Sequence, residues 1–158
     1  MATDIFARIG NIKGESQDVK HKGEVDVLAW TWGLAQTGSM AYGGGGGAGK
    51  VSFQDLTFSH RVDKASPALM LACATGQHLK DATITVRKAG KDQHEYLIVR
   101  MPDVLVTGVN SSVDGSDSSE AVALQFAKVN LEYKPQKPDG SLDAGVHFKY
   151  DIKAKKEG

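Results

Sequence analysis

The sequence predicts a mainly β fold, an antiparallel β-barrel or tight sandwich with one short flanking α-helix and an extended glycine-rich loop. Seven to nine segments carry apolar residues at near-alternate positions, which is the pattern of half-buried strands. Clusters of Gly, Pro, Ser and Asp separate these segments as turns. One segment alone has the start and stop signals of a helix. Because the 158 residues contain no repeat and no linker, we expect a single domain over residues 1–158.

Two strands and a polar connection are predicted in the N-terminal part. Alternation around Ile5, Ala7 and Ile9 predicts a short strand that ends near Gly10, and residues 13–22 form a polar connection. Residues 24–34 predict one long strand with two distinct faces. One face carries Leu28, Trp30, Trp32 and Leu34, and the other carries Val25, Val27, Ala29 and Thr31. The aromatic face is expected to pack in the core, although paired tryptophans also occur in sugar-binding or base-binding platforms.

The middle of the chain predicts a bulged strand and the helix. Residues 51–60 form a strand whose apolar phase shifts between Phe53 and Leu56, which indicates a bulge. Residues 66–76 predict the helix, with Ser66 as N-cap, Pro67 in the first turn and Gly76 as the stop. Its apolar composition favours packing against the sheet. Cys73 lies among Ala and Leu, so we interpret it as a buried, inert thiol.

The C-terminal half predicts further strands. Residues 82–88 and 95–101 form a hairpin, residues 104–109 continue the series, and residues 110–119 form a polar loop. Residues 121–133 predict a strand with a bulge around Ala127 and Lys128, and residues 147–152 predict the last strand. A long turn at residues 135–145 separates the two.

The most distinctive segment is a run of six glycines within the seven residues from Gly43 to Gly49. With Lys50 it has the spacing of a phosphate-binding loop, but Val51 stands where a Ser or Thr hydroxyl would hold Mg²⁺. A strand pattern follows, whereas phosphate binding requires a helix N-terminus after the loop. We therefore interpret the run as a flexible loop that a neighbouring molecule orders.

Other residues that could carry chemistry have no supporting pattern. The histidines His21, His60, His78, His94 and His147 lack metal-ligand spacing, so we expect them at the surface or in turns. Asp114, Asp117 and Glu120 do not match the spacing of a calcium loop and predict a solvated turn. The sequence therefore predicts no catalytic residue, no metal site and no cofactor.

Composition excludes several classes of protein. The 19 basic and 19 acidic residues cancel, which argues against nucleic acid as a partner. One cysteine excludes an intramolecular disulfide and favours the cytoplasm. Neither a signal peptide nor an apolar run long enough for a membrane span is present, so we expect no membrane insertion.

Several stretches, in order along almost the whole chain, resemble the haemolysin-coregulated protein (Hcp) family, the tube subunits of bacterial type VI secretion systems. They begin with Asp4, Ile5, Phe6, Ile9 and Gly10, and continue at residues 13–16, 26–33, 38–51, 54–56, 63–64, 87–90, 95–98 and 133–136. The resemblance implies a β-barrel with a flanking helix, homohexameric rings that stack into a hollow tube, and effector proteins carried in the lumen. It also implies spike and sheath partners, export from the cytoplasm without a signal peptide, and neither catalysis nor a cofactor.

Two sites follow from the resemblance as hypotheses. Thr31 points away from Trp30 and Trp32 by strand alternation, and the resemblance places that surface in the ring lumen, in contact with effectors. The glycine-rich loop is expected to contact a neighbouring ring or subunit. Its residues are Ser39, Met40, Tyr42, Gly43, Gly44, Gly45, Gly46, Gly47, Gly49 and Lys50. The alternatives are a monomeric ligand-binding or carbohydrate-binding β-barrel and a nucleotide-dependent enzyme.

Overall fold

A closed antiparallel barrel of six strands forms the body of the protein. The structure is a computed structural model and describes residues 2–38, 49–90 and 92–158. The strands are β1 Thr3–Ile9, β2 Val25–Thr31, β3 Leu34–Gln36, β4 Val51–Phe53, β5 Leu56–His60, β6 His78–Lys88, β7 Glu95–Val113, β8 Ser118–Phe126, β9 Lys128–Tyr133, β10 Val146–Asp151 and β11 Lys156–Glu157, and helix α1 is Ala65–Thr75. The barrel order is β7-β6-β1-β2-β5-β8, and β8 pairs back onto β7. The predicted fold class is confirmed.

Strand β7 is long enough to serve two parts of the molecule. Its first half pairs with β6 and with β9, and its second half pairs with β8. From β9 the sheet extends outward through β10 to β11. The predicted strand at 104–109 is therefore a continuation of the 95–101 strand, and the predicted loop at 110–119 shortens to the turn between Val113 and Ser118. The single domain over residues 1–158 stays a prediction.

Three predicted strands are divided in the structure. The 24–34 strand breaks at Trp32 and Gly33 into β2 and β3, and the 51–60 strand breaks at Gln54 and Asp55 into β4 and β5. The 121–133 strand is interrupted at Ala127, between β8 and β9, where we predicted a bulge. In the first two cases the chain leaves the barrel to form a separate two-stranded sheet, which explains the phase shift before Leu56.

A β-bulge in β2 changes which side chains face the core. The register against β5 shifts between Val27 and Ala29, so the consecutive residues Leu28 and Ala29 both face outward, and Leu28 is 51% exposed. After this shift the next residue, Trp30, faces inward and packs against the core. The predicted core face of Leu28, Trp30, Trp32 and Leu34 is therefore wrong for both leucines, because Leu34 is also exposed, and the predicted opposite face is wrong for Val25 and Val27, which are buried.

Helix α1 lies against β7 and is anchored by Leu69, which is fully buried, and by Ala72. It begins at Ala65, one residue before the prediction. Ser66 is not the N-cap: its Oγ accepts a hydrogen bond from the Asp63 amide at 3.1 Å. Gly76 ends the helix in the left-handed region, as predicted, with φ of 66°.

Two histidines that we predicted at the surface or in turns are buried. His60 is fully buried, with Nε2 2.8 Å from Glu120 Oε1, and Glu120 also accepts a hydrogen bond from Ser111 Oγ. The prediction that Glu120 belongs to a solvated turn is therefore wrong as well. His21 stacks on Phe6, with ring centroids 4.4 Å apart. Each imidazole has a carboxylate partner, which is how polar groups are tolerated in a β core.

A charged network closes the barrel next to Phe6. Arg87 is buried, lies over the Phe6 ring at 4.8 Å and donates hydrogen bonds to Asp18 at 3.0 and 2.5 Å. It also donates to Asp4 at 3.3 Å. The hydrogen bond from the guanidinium lowers the pKa of Asp18 from 3.8 to about 2. This network holds the polar 13–22 segment against β6.

Candidate assembly surfaces

Strands β3 and β4 form a two-stranded ribbon that leaves the barrel and carries the ends of the glycine-rich loop. Leu34 pairs with Phe53 and Gln36 with Val51. At the barrel end, the Gln54 amide donates to the Gly33 carbonyl at 2.9 Å. Backbone hydrogen bonds therefore hold β3 and β4 together from the barrel to the far end of the ribbon.

An aromatic cluster fastens the base of the ribbon to the barrel. Trp32 lies 6.2 Å from Phe53, 5.9 Å from Phe126 and 6.3 Å from Phe148, measured between ring centroids. Phe53 lies 5.2 Å from Tyr150. The indole Nε1 of Trp32 donates to the Gln54 carbonyl at 2.9 Å. The cluster joins the ribbon to β8 and β10, so the ribbon is positioned by side chains on three elements.

The predicted lumen residue, Thr31, is exposed and lies at the end of β2. It pairs with Thr57 of β5, which pairs with Ala123 of β8, which pairs with Gly108 of β7. A second row crosses the same four strands. We call the two rows the small-residue face; its members are Ala29, Thr31, Thr57, Ser59, Gly108, Asn110, Ala121 and Ala123.

This face is smooth and uncharged because of strand alternation. On β5 and β8 the residues between its members are buried, among them Phe58, Val122 and Leu124. The outward positions carry hydroxyl, amide, methyl or hydrogen groups only. The eight members therefore have short side chains and no ionisable group, and the carboxylate beside them, Asp55, accepts a hydrogen bond from Thr107 Oγ1 at 2.7 Å.

The chain is similar in sequence to known proteins of one family. A family model described as "Type VI secretion system effector, Hcp" matches residues 6–133. Protein hcp1 of Pseudomonas aeruginosa is 50% identical over 157 residues, which cover 97% of either chain. The chain belongs to the Hcp family of type VI secretion.

Solved structures of Hcp proteins have the same fold. Hcp1 from Salmonella typhimurium is 37% identical, with a TM-score of 0.82 and 100% of both chains covered. A type VI secretion system effector from Yersinia pestis is 33% identical, with a TM-score of 0.78, covering 94% of this chain and 100% of that one. The resemblance to Hcp proteins predicted from sequence is confirmed.

Two of the ten residues predicted for the Hcp loop contact are described. Lys50 donates its amide to Thr37 Oγ1 at 3.0 Å, which closes the far end of the ribbon. A Cβ at Gly49 would lie 2.5 Å from Thr37 Oγ1 and 2.9 Å from the Gly38 nitrogen, so only glycine fits there. The other eight lie outside the described residues: Ser39, Met40, Tyr42, Gly43, Gly44, Gly45, Gly46 and Gly47.

The remaining predictions on chemistry are tested within the described residues. The loop is followed by strand β4, as predicted, which leaves the phosphate-binding interpretation without its helix. Trp32 uses its ring in the aromatic cluster and its Nε1 on Gln54, so it offers no free platform to a sugar. Across residues 2–38, 49–90 and 92–158, no three His, Cys, Asp or Glu side chains are placed to hold a metal ion. Within the same ranges, no helix is long and apolar enough to cross a membrane.

Sequence reasoning missed the small-residue face as a whole. Thr31 was found because it alternates with Trp30 and Trp32, but its outward position depends on the shift between Val27 and Ala29, and the face needs four strands in register. The signal present in the sequence is the run of small residues between apolar ones in β8, at Ala121 and Ala123. Nothing in one sequence indicates which strands lie next to it.

Proposed function

We propose that this protein is a structural subunit of the type VI secretion inner tube. Six copies close into a ring, and rings stack into a hollow tube that carries or exports effector proteins. The observation that carries the proposal is a barrel of the Hcp family with an uncharged small-residue face on one side and a projecting ribbon beside it. Spike and sheath components of the secretion apparatus are its further partners. The subunit is made in the cytoplasm and leaves the cell through the type VI system.

The small-residue face is proposed to line the lumen, with Thr31 in contact with cargo. A lumen wall must let a folded protein pass and must not hold it too strongly. Short, uncharged side chains satisfy both conditions, since each contact is weak and many contacts add up. Hydroxyl groups on Thr31, Thr57 and Ser59 supply hydrogen bonds that water can replace when the cargo leaves.

The ribbon is proposed to contact a neighbouring ring or subunit. A closed barrel has no free strand edge, so in the described part of the chain unpaired edges lie on the ribbon and on the β10–β11 extension. Exposed Leu34 and Val51 add apolar area to the ribbon. A ring needs two different surfaces of one subunit that fit each other, and an exposed edge that joins a neighbouring sheet is one such surface.

Mass and shape in solution test the proposal. Light scattering after size exclusion should give about six times the 16.9 kDa chain, and electron micrographs should show rings. A mass of one chain at all concentrations, with no rings, would contradict the proposal. It would favour the monomeric ligand-binding barrel instead.

Hydrogen exchange tests the ribbon contact separately. In loose rings the amides between Thr37 and Lys50 should exchange faster than those of barrel strand β6, and in stacked tubes they should become protected, because a neighbour covers them. The β6 amides serve as the internal control, since barrel pairing protects them in both samples. Equal exchange of the loop segment in rings and tubes would remove the proposed contact.

A further inference from the structure

Helix α1 has an outer face that no part of the described chain covers. Its eleven residues include no charged side chain, although 24% of the whole sequence is charged. Met70 is 43% exposed and Leu71 is 61% exposed on that face. A helix at a protein surface normally has a charged or polar stripe toward water, whereas a helix that is apolar all round is normally covered. The outer face of α1 therefore has the composition of a covered surface.

A groove runs beside this helix and continues the apolar surface. Its volume is about 580 Å³. The far wall is the chain after β1, with Ile12, and the start of β6, with Leu79. On the helix side the floor is Ala68, Leu71 and Ala72. The groove is thus a concave apolar site of the size that accepts a few side chains of a partner.

Three lysines surround the floor of this groove: Lys13, Lys64 and Lys80. All three are exposed, and none forms an ion pair with any described residue. Glu15 accepts a hydrogen bond from the backbone amide of Lys64 at 2.8 Å, which leaves the ammonium group of Lys64 unused. Because the chain as a whole has no net charge, this positive rim is a local property of the groove. We call the floor and the rim together the lysine-rimmed groove.

We propose that the lysine-rimmed groove binds an amphipathic segment of another protein, with apolar side chains on one face and carboxylates along its flanks. The apolar face fits between the floor at Leu71 and the far wall at Leu79, and the carboxylates meet Lys13, Lys64 and Lys80. Grooves of this shape take amphipathic helices through apolar anchors at helical spacing. The rim charges determine which segments bind, since a basic segment meets three ammonium groups without counter-charge.

A second copy of this chain is a poorer occupant. One exposed apolar residue with acidic neighbours at a turn is Val113, beside Asp114 and Asp117. Both carboxylates are already used: Asp114 accepts the amides of Ser116 and Asp117, and Asp117 pairs with Arg61. That turn has little free negative charge for the lysines of a neighbour. The proposal is therefore separate from ring formation and does not depend on it.

The test uses a fluorescent peptide with leucine on one helical face and glutamate on the other, measured by anisotropy against the whole protein. The peptide should bind, and the double variant Lys13→Glu with Lys64→Glu should weaken binding about tenfold, because two exposed ion pairs are lost and replaced by repulsion. Lys149→Glu is the matched control, since Lys149 is exposed on β10, away from the groove, and should leave binding unchanged. Added salt should weaken binding of the wild type more than that of the double variant.

Four results would overturn the proposal. They are no binding of the glutamate peptide, equal binding of a peptide with lysine in place of glutamate, an unchanged affinity of the double variant, and binding to dissociated subunits but not to rings. The last result would mean that a second copy covers the groove. Light scattering on the same samples reports the ring independently, so a failure of the tube proposal is distinguished from a failure of the groove proposal.

Discussion

The small-residue face and the lysine-rimmed groove belong to the same barrel but are built in opposite ways. The face is made by backbone pairing of four strands, and its side chains are short and uncharged. The groove is made by side chains of a helix and two chain segments, with an apolar floor and three ammonium groups. The first surface is suited to many weak contacts, and the second to one selective contact. A single fold can therefore serve both purposes, because the strand period and the helix period decide separately which side chains reach each surface.

The largest expected effect concerns the attachment of helix α1, which forms one side of the groove, to the barrel. Leu69→Ala removes the fully buried anchor of α1 and should lower the free energy of unfolding by about 2–5 kcal/mol, through lost burial and a cavity. Met70→Ala, on the exposed side of the same helix, should cost far less. Denaturant unfolding measures both. Equal losses would mean that the helix is not held by Leu69 and that the groove has no fixed floor.

The next effect concerns cargo on the small-residue face. If this face lines the lumen, Thr31→Arg brings a long cation into each subunit of the ring and should reduce cargo retention by about tenfold, with ring mass unchanged. Thr75→Arg, an exposed threonine on α1, is the matched control and should retain cargo. Co-purification of an effector with the rings measures retention. Dissociated rings, or unchanged retention in Thr31→Arg, would contradict the lumen assignment.

Acid should lower stability through a third region, the hydrogen-bonded pair of Arg87 and Asp18, which lies outside both surfaces. The folded pKa of Asp18 is depressed by the Arg87 hydrogen bond, so its stabilisation is complete above about pH 4 and is lost as pH falls through about 2. Asp18→Asn should therefore unfold at lower temperature than wild type near pH 5, and the difference should shrink toward pH 2. Exposed Asp92→Asn is the control. Thermal melts at several pH values decide it; a pH-independent difference would mean that Asp18 acts through packing alone.

The smallest effect tests the bulge at the edge of the small-residue face. Leu28→Ser should change stability by less than about 0.5 kcal/mol, because Leu28 is exposed at the bulge. Val27→Ser, one residue earlier, places an unpaired hydroxyl in the core and should cost several times more. If the two costs were reversed, the unbulged strand predicted from sequence would be the better description.

Much of the fold could be predicted because its signals are local. Alternation located β1, β6 and β10, and Pro67 with Gly76 located the helix to within a residue at each end. The errors lie where two elements meet. The breaks at Gly33 and Asp55 depend on the ribbon leaving the barrel, and the exposure of both Leu28 and Ala29 depends on the register shift against β5. His60 and Glu120 are buried because they face each other across a strand pair 60 residues apart in sequence.

The sequence by itself determined the class of fold, the helix and the family, because strand period, capping residues and family motifs are all read along the chain. The tertiary structure alone decided the surfaces. Thr57, Ala123 and Gly108 join Thr31 through register between strands, and Lys13, Lys64 and Lys80 meet around one groove through helix packing. Neighbours across a sheet or under a helix are far apart in sequence, so no local pattern records them.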